Sequence, residues 1–334
     1  MGGPTPNWYA FTNFLKVLIL AAAVGIPNPV KSRLRRPRAS KSARRESLSF
    51  HLMILPWLIG FCGLMLYPIV ASAYFSLTRY DVISPPRWVG LGNYVYLFTR
   101  DPLFWRSLGV TFTYTLVAVP LNLALALVLA MLLNLRVPGM RVLRTVYYLP
   151  TVMPQVATSM LWMFLFAPTF GVIDWALAVL FHITGPNWLS DPHWVMPAFI
   201  LMSLWGVGGA MVIFLAGLQS VPPELYEAAQ LDGASGIVQF VRVTLPSISP
   251  VVLFNLIVGM IGAMQIFTTA FVMTQGGPDY ASYFFNLAIY NNAFVYFKMG
   301  LASAQAWVLL LIVMIMTLVV FATSSRWVFY GSGR

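Results

Sequence analysis

Three of the nine acidic residues in the chain, Glu224, Glu227 and Asp232, fall close together beside the stretch EAAQLDGASGIVQFVRVTLPSISP, Glu227 to Pro250, which interrupts long uncharged runs. Carboxylates spaced this way on a short helix suit recognition, because each offers charge-assisted hydrogen bonds to a partner's Arg or Lys. Ser220, Pro222, Pro223 and Glu224 make a helix start: prolines sit where first-turn amides have no intrahelical partner, and the acid lies near the positive end of the dipole. Leu225 to Leu231 reads as a short helix, Asp232 and Gly233 as a turn that glycine permits, and Gly236 to Val243 as a second helix ended by Pro246. Two short helices at an angle would expose Glu227, Asp232 and the small Ala228 and Ala229, which let another surface approach closely. A solvated loop joining two spans is the plain alternative.

Other chemistries find little support. A phosphate-cradling GxxxxGK[ST] loop needs Gly before Lys, whereas Lys16, Lys31, Lys41 and Lys298 follow Leu, Val, Ser and Phe. Three scattered His and one Cys, Cys62, make no metal or catalytic cluster. The polar residues at membrane depth are a different case, because lipid cannot satisfy them and they should face the interior of a bundle. They are Asn122, Gln155, Thr158, Ser159, Ser203, Trp205, Asn255, Gln265, Thr268 and Thr269. Gln265, Thr268 and Thr269 recur at three and four residues and so share a helical face. Amides and hydroxyls both donate and accept hydrogen bonds, and Trp205 offers a flat aromatic face to a solute. For any one of these residues alone the structural role is favoured, bridging helices at about 0.6 kcal/mol on average. Gly259 with Gly262, and Gly206, Gly208 and Gly209, read as close-packing or hinge sites.

The elements that must position these residues follow from composition. With 59% hydrophobic and 9% charged residues and a mean hydropathy of +0.79 over 334 residues, the chain cannot be a soluble domain, whose charged fraction is about 25%. Six uncharged intervals, 52–78, 107–135, 145–173, 192–223, 243–278 and 299–325, each exceed the ~20 residues a helix needs to cross hydrocarbon. They show no period-two alternation, so helices are expected rather than barrel strands. Two further intervals, 175–190 and 280–297, are read as interfacial helices lying beside the bundle. The fold expected is all-α and polytopic, with the membrane domain over 51–330 and the acidic loop over 218–246.

Basic residues in short loops accumulate on the cytoplasmic side. The six-span arrangement puts fourteen there (Lys31, Arg33, Arg35, Arg36, Arg38, Lys41, Arg44, Arg45, Arg136, Arg141, Arg144, Arg242, Arg326 and Arg334) against five opposite (Arg79, Arg87, Arg100, Arg106 and Lys298). Both termini of the core and the 218–246 loop are therefore expected inside. The net charge of +11 reflects topology and anionic headgroups rather than nucleic-acid binding. Residues 1–50 form an extension in which Trp8 to Ile26 could be an extra span, an uncleaved signal-like segment or an upstream addition; a peripheral segment is favoured.

Energy supply discriminates between transporter classes. An ion-coupled carrier needs ionisable side chains within the bilayer, and the spans hold none securely: Asp174, His51 and His193 border them. A transporter built this way takes its work from another polypeptide.

Glu227-Ala228-Ala229, Asp232-Gly233-Ala234, Phe240, Leu245-Pro246 and Pro250 resemble the EAA loop of binding-protein-dependent ABC importer permeases. More of the chain resembles the carbohydrate branch of that family, the maltose-type and glycerol-phosphate-type permeases: Leu55-Pro56-Trp57 with Tyr67-Pro68, Gly90-Leu91-Gly92-Asn93-Tyr94 with Asp101-Pro102 and Phe104-Trp105, Arg144-Thr145 with Leu149-Pro150, Thr274-Gln275-Gly276-Gly277-Pro278, Tyr290-Asn291-Asn292-Ala293-Phe294, and Met299-Gly300-Leu301-Ala302-Ser303-Ala304. Coverage runs from about residue 46 to 330; Gly92 is less usual in the outer-loop motif.

The resemblance implies a six-span type I importer permease in a bacterial inner membrane, not itself an enzyme. It implies a heterodimer with a second homologous permease, an ATPase dimer that carries ATP and Mg, and an extracytoplasmic binding protein delivering solute to loops 79–107, 167–193 and 275–300. Glu227 would contact the ATPase, Gly233 would set the angle between the coupling helices, and Ala228, Ala229 and Asp232 would complete the docking face. No cofactor is expected in this chain. The solute expected is a sugar or sugar-like molecule, with a polyol or glycerophosphodiester as an alternative. An ion-coupled carrier is the alternative from another class, which an inverted repeat and a buried carboxylate would favour.

Overall fold

The computed structural model describes residues 41–135, 137–168 and 170–329. The expected basic run over residues 31–38, the Trp8–Ile26 stretch, Arg136 and Arg334 lie outside the described residues. The chain divides into two units, residues 1–65 and 66–334.

In the first unit, α1 (Lys41–Gly60) begins eleven residues ahead of the expected span and carries Pro56, and a π-helical turn follows from Phe61. Trp57 and Phe61, one helical turn apart, stack with centroids 5.3 Å apart.

The second unit carries α2 (Tyr67–Ser76), followed by a two-stranded hairpin, β1 (Thr78–Arg79) antiparallel to β2 (Arg87–Trp88), and the short α3 (Gly92–Thr99). The Asn93 amide donates to the carbonyls of Ser76 and Thr78, both at 2.8 Å, which fastens α3 to the end of α2.

The central element is α4 (Pro102–Leu133), capped by Asp101, whose carboxylate accepts from the Leu103 N–H at 3.0 Å. At 1.5 Å per residue its 32 residues extend about 48 Å. Then come α5 (Met140–Val152), α6 (Gln155–Leu165), α7 (Val172–Phe181), α8 (Val195–Trp205) and α9 (Gly208–Gln219). A loop carries α10 (Pro223–Leu231) and α11 (Gly236–Gln239), a π turn (Phe240–Thr244) and α12 (Leu245–Ser247). The chain finishes with α13 (Ser249–Met264), α14 (Thr268–Met273), α15 (Phe285–Tyr290), a π turn (Asn291–Val295) and α16 (Met299–Ser324). α4 packs against α8, α9, α13 and α15, and α16 packs along α2.

Among the described residues, four helices are long and apolar enough to span, and α8 with α9, bent by 47°, makes a fifth. The interval 145–173, expected as one span, is two helices of 13 and 11 residues separated at Met153–Pro154. Proline lacks an N–H and biases its predecessor away from helical angles, and Met153 accordingly takes φ −68° and ψ 139°.

Other expectations are corrected. The interval 280–297 does not lie beside the bundle: Ser282, Phe284 and Phe285 are fully buried and the Phe285 N–H donates to Thr111 Oγ1 of α4 at 2.9 Å. The aromatic rings of this segment have enough apolar area to justify burial, and Thr111 satisfies the backbone amide that burial would orphan. By contrast α7, within the other interval, buries none of its side chains. Pro246 does not end the second loop helix, because the wider π turn over Phe240–Thr244 precedes it and Pro246 falls in the first turn of α12, where no donor is needed.

Candidate functional site

Along α4 the residues divide by height. Val110, Tyr114 and Ala118 belong to one apolar core with Trp162, Phe199 and Phe284, and Ala126, Ala130 and Leu133 belong to another with Met211, Phe214 and Leu218. Between them, bordered by Tyr114 to Leu123, lies a cavity of about 860 Å³. Its level matches the middle of the helix.

Three helix pairs break at this cavity. Met153 stands between α5 and α6, Gly206 between α8 and α9, and Gln265, Ile266 and Phe267 between α13 and α14; all five line the wall. Non-helical backbone at membrane depth persists only where protein or a water-filled cavity satisfies its polar groups. Here the Gln265 carbonyl, released from the helical ladder, accepts from Asn286 Nδ2 at 2.8 Å, so Asn286 of α15 repairs the break in α13–α14.

Because of that break, Gln265, Thr268 and Thr269 do not lie on one continuous helical face, as their spacing predicted: Gln265 closes α13 and Thr268 opens α14. The cavity nonetheless gathers Gln265, Asn255, Thr268, Thr269, Trp205, Ser203 and Gln155, together with Asn122 and Thr158. Asn122 Nδ2 donates to Ser203 Oγ at 2.9 Å, joining α4 to α8, and Gln155 Nε2 donates to Thr269 Oγ1 at 3.3 Å, joining α6 to α14. Asn255 is buried and donates to the Val251 carbonyl of its own helix. The Thr158 hydroxyl is buried with no hydrogen-bond partner among the described residues. Ser159 bonds back to the Gln155 carbonyl and does not line the cavity. Sequence reasoning passed over Tyr114, Phe199 and Phe267, which add aromatic surface to Trp205; their types signalled packing, and only the assembled helices bring them to the wall. Among the described residues, no Asp, Glu, Lys, Arg or His contributes to it.

Glycine permits the closest contact nearby. A Cβ on Gly208 would stand 2.3 Å from the Tyr147 carbonyl oxygen, so α9 can approach α5 only without a side chain there.

The loop after α9 forms an elbow. α10 starts at Pro223 with Glu224 in its first turn, and Gly233 reverses the chain at φ +74°. The Ala234 N–H donates to the Ala229 carbonyl at 2.9 Å and the Gly233 N–H to the Gln230 carbonyl at 3.0 Å, a left-handed glycine termination. Glu227, Ala228, Asp232 and Gly233 are exposed, and Ala229 is half-buried. Neither Glu227 nor Asp232 forms an ion pair among the described residues. Leu231 and Ile237, flanking the turn, are 90% and 78% exposed, an apolar surface beside unpaired acids.

Residues 122–328, which include this elbow and most of the cavity wall, match the family described as binding-protein-dependent transport system inner membrane component. The chain belongs to that family. Among curated relatives, this permease is 40% identical over 88% of its length to the probable ABC transporter permease protein YesP of Bacillus subtilis, of which 96% is covered. It is 33% identical over 78% of its length to the trehalose/maltose transport system permease protein MalF of Thermococcus litoralis, of which 87% is covered. Its fold matches the crystal structure of a bacterial ABC transporter involved in import of the acidic polysaccharide alginate, with TM-score 0.74 and 23% identity over 86% of this chain and 98% of that one. The permease is a multi-pass membrane subunit of an ABC transporter and is not itself an enzyme.

Proposed function

We propose that this permease carries an uncharged sugar through the cavity at the three helix breaks, driven by an ATPase that docks on the elbow. The observation that carries the reading is the chemistry of the wall: carboxamides, hydroxyls and aromatic faces, with no ionised side chain among the described residues. Carboxamides and hydroxyls both donate and accept, as sugar hydroxyls do, and aromatic rings cover the apolar faces of pyranoses. An ionised solute in the same wall would remain without a counter-charge, which is costly at membrane depth. A uronate would need its cation from another subunit.

The names of relatives agree with a saccharide: trehalose and maltose for one, lactose for the Rhizobium radiobacter permease LacF. The full arrangement we infer has six spans, α5 with α6 supplying the sixth, with the termini of the core and the 218–246 elbow in the cytoplasm. The positive-inside bias supports that orientation. Glu227 and Asp232 would meet cationic groups of the ATPase while Leu231 and Ile237 enter its cleft, ATP and Mg being held there and no cofactor here. A second homologous permease would complete the translocation path. A binding protein outside would deliver solute, as in the alginate importer solved with its pentasaccharide-bound periplasmic protein.

Reconstitution of the permease with its partner subunits and binding protein in proteoliposomes tests the reading. ATP-dependent accumulation of a neutral oligosaccharide is expected. Uptake sustained by an ion gradient without ATP, or ATP-driven uptake confined to a non-saccharide, overturns it.

A further inference from the structure

A second cavity, of about 830 Å³, lies at the base of the elbow between Asn134, Leu135 and residues 137–144 on one side and residues 218–226 on the other. Its wall holds Arg141 and Arg144 with the carboxamides of Asn134 and Gln219 and, among the described residues, no carboxylate; Glu224 and Glu227 of the neighbouring α10 are not part of it. Arg144 is held in place, its Nε and Nη2 donating to the Leu133 carbonyl at the end of α4, at 3.2 and 2.7 Å. This engages two of the five guanidinium donors and leaves the rest of the fork for another acceptor. Arg141 is exposed and forms no ion pair among the described residues. Two guanidinium groups around one cavity without a compensating acid create a positive potential that an anion relieves.

We propose that this cavity binds a phosphate group. Guanidinium forks match phosphate oxygens in a planar, bidentate geometry, and carboxamide N–H groups add donors to the same oxygens. Basic pockets between helices at the cytoplasmic membrane surface take anionic headgroups by this chemistry. A phospholipid headgroup and a free phosphate offer the same oxygens, and the experiment separates them. Val221, Pro223 and Tyr226 form the elbow side of the wall, so an occupied cavity braces the base of α10. Any effect on coupling rests on the assignment of the elbow to the ATPase, whereas phosphate binding does not.

Hydrogen exchange of residues 139–144 in the whole transporter, in nanodiscs of phosphatidylcholine alone or with phosphatidylglycerol, tests the proposal. Protection roughly tenfold stronger with the anionic lipid is expected, the scale of one charge-assisted hydrogen bond, lost in Arg141→Gln and partly kept in Arg141→Lys. Because Arg141 is exposed and takes no part in the Arg144–Leu133 hydrogen bonds, its substitution leaves that contact in place. The same protection on adding inorganic phosphate to phosphatidylcholine discs assigns the site to a free anion, and its absence there assigns the site to lipid. Protection that ignores both additions, or that follows only the presence of the ATPase subunits, overturns the proposal and makes the cavity a protein contact. Tracking ATPase rate alongside exchange keeps the two readings distinct: protection without a rate change would sustain the phosphate site and count against the bracing of the elbow.

Discussion

The phenol oxygen of Tyr226 lies 3.1 Å from Thr244 Oγ1, tying the first helix of the elbow to the π turn that leads back into the membrane. Tyr226→Phe removes this bridge and, Thr244 being buried, leaves its hydroxyl with only the longer 3.5 Å approach to the Gln239 carbonyl. The expected cost is about 1 kcal/mol of local stability. Solute moved per ATP hydrolysed should fall in reconstituted transporters while subunit assembly is retained. An unchanged ratio would show that the elbow transmits force without the bridge.

Glu227→Lys places a cation where the surface otherwise offers an exposed, unpaired acid. Reversal of charge at a docking contact should weaken ATPase association by about 2–5 kcal/mol. Pull-down should then recover the permease from the membrane with little ATPase. ATP-driven uptake at the original rate would refute the role assigned to Glu227.

Gln265→Ala removes the carboxamide from the cavity wall but leaves the backbone carbonyl that Asn286 caps. Solute uptake should change, with KM rising severalfold if one or two hydrogen bonds of about 1 kcal/mol each are lost, while ATPase association stays intact. Asn286→Ala does the opposite: it leaves the Gln265 carbonyl uncapped and should lower thermal stability, by about 1 kcal/mol or more. If both variants behaved alike, the side chain of Gln265 would be serving the break and not the solute.

Gly208→Ala forces a methyl group against the Tyr147 carbonyl. Backbone cannot yield as a flexible side chain does, so α9 must move away from α5, at about 1–3 kcal/mol. A lower melting temperature, with Gly209→Ala milder because its Cβ would meet only a Thr151 methyl at 3.4 Å, would verify the close approach.

The helical membrane class was readable from composition, because uncharged runs longer than a bilayer crossing have no other stable home. The elbow was also readable: the prolines, the acid pattern and Gly233 are local instructions, and local backbone chemistry carried them out from Pro223 to Ala234. The break in α5–α6 had a local cause in Pro154. The break at Gln265–Phe267 had none, since neither proline nor glycine occupies those three positions.

Residue types and spacing by themselves therefore determined that this is a polytopic helical protein with an acidic, glycine-hinged elbow, and which polar side chains must be kept from lipid. Tertiary structure alone decided that three helix pairs break at one level, that segment 280–297 enters the bundle, and that residues from α4 to α14 share one cavity without a charged side chain among the described residues. The physical reason is that an interrupted helix needs distant partners for its freed backbone groups. Asn286 supplies one to Gln265 across 21 residues, a debt and a remedy that no local window of sequence contains together.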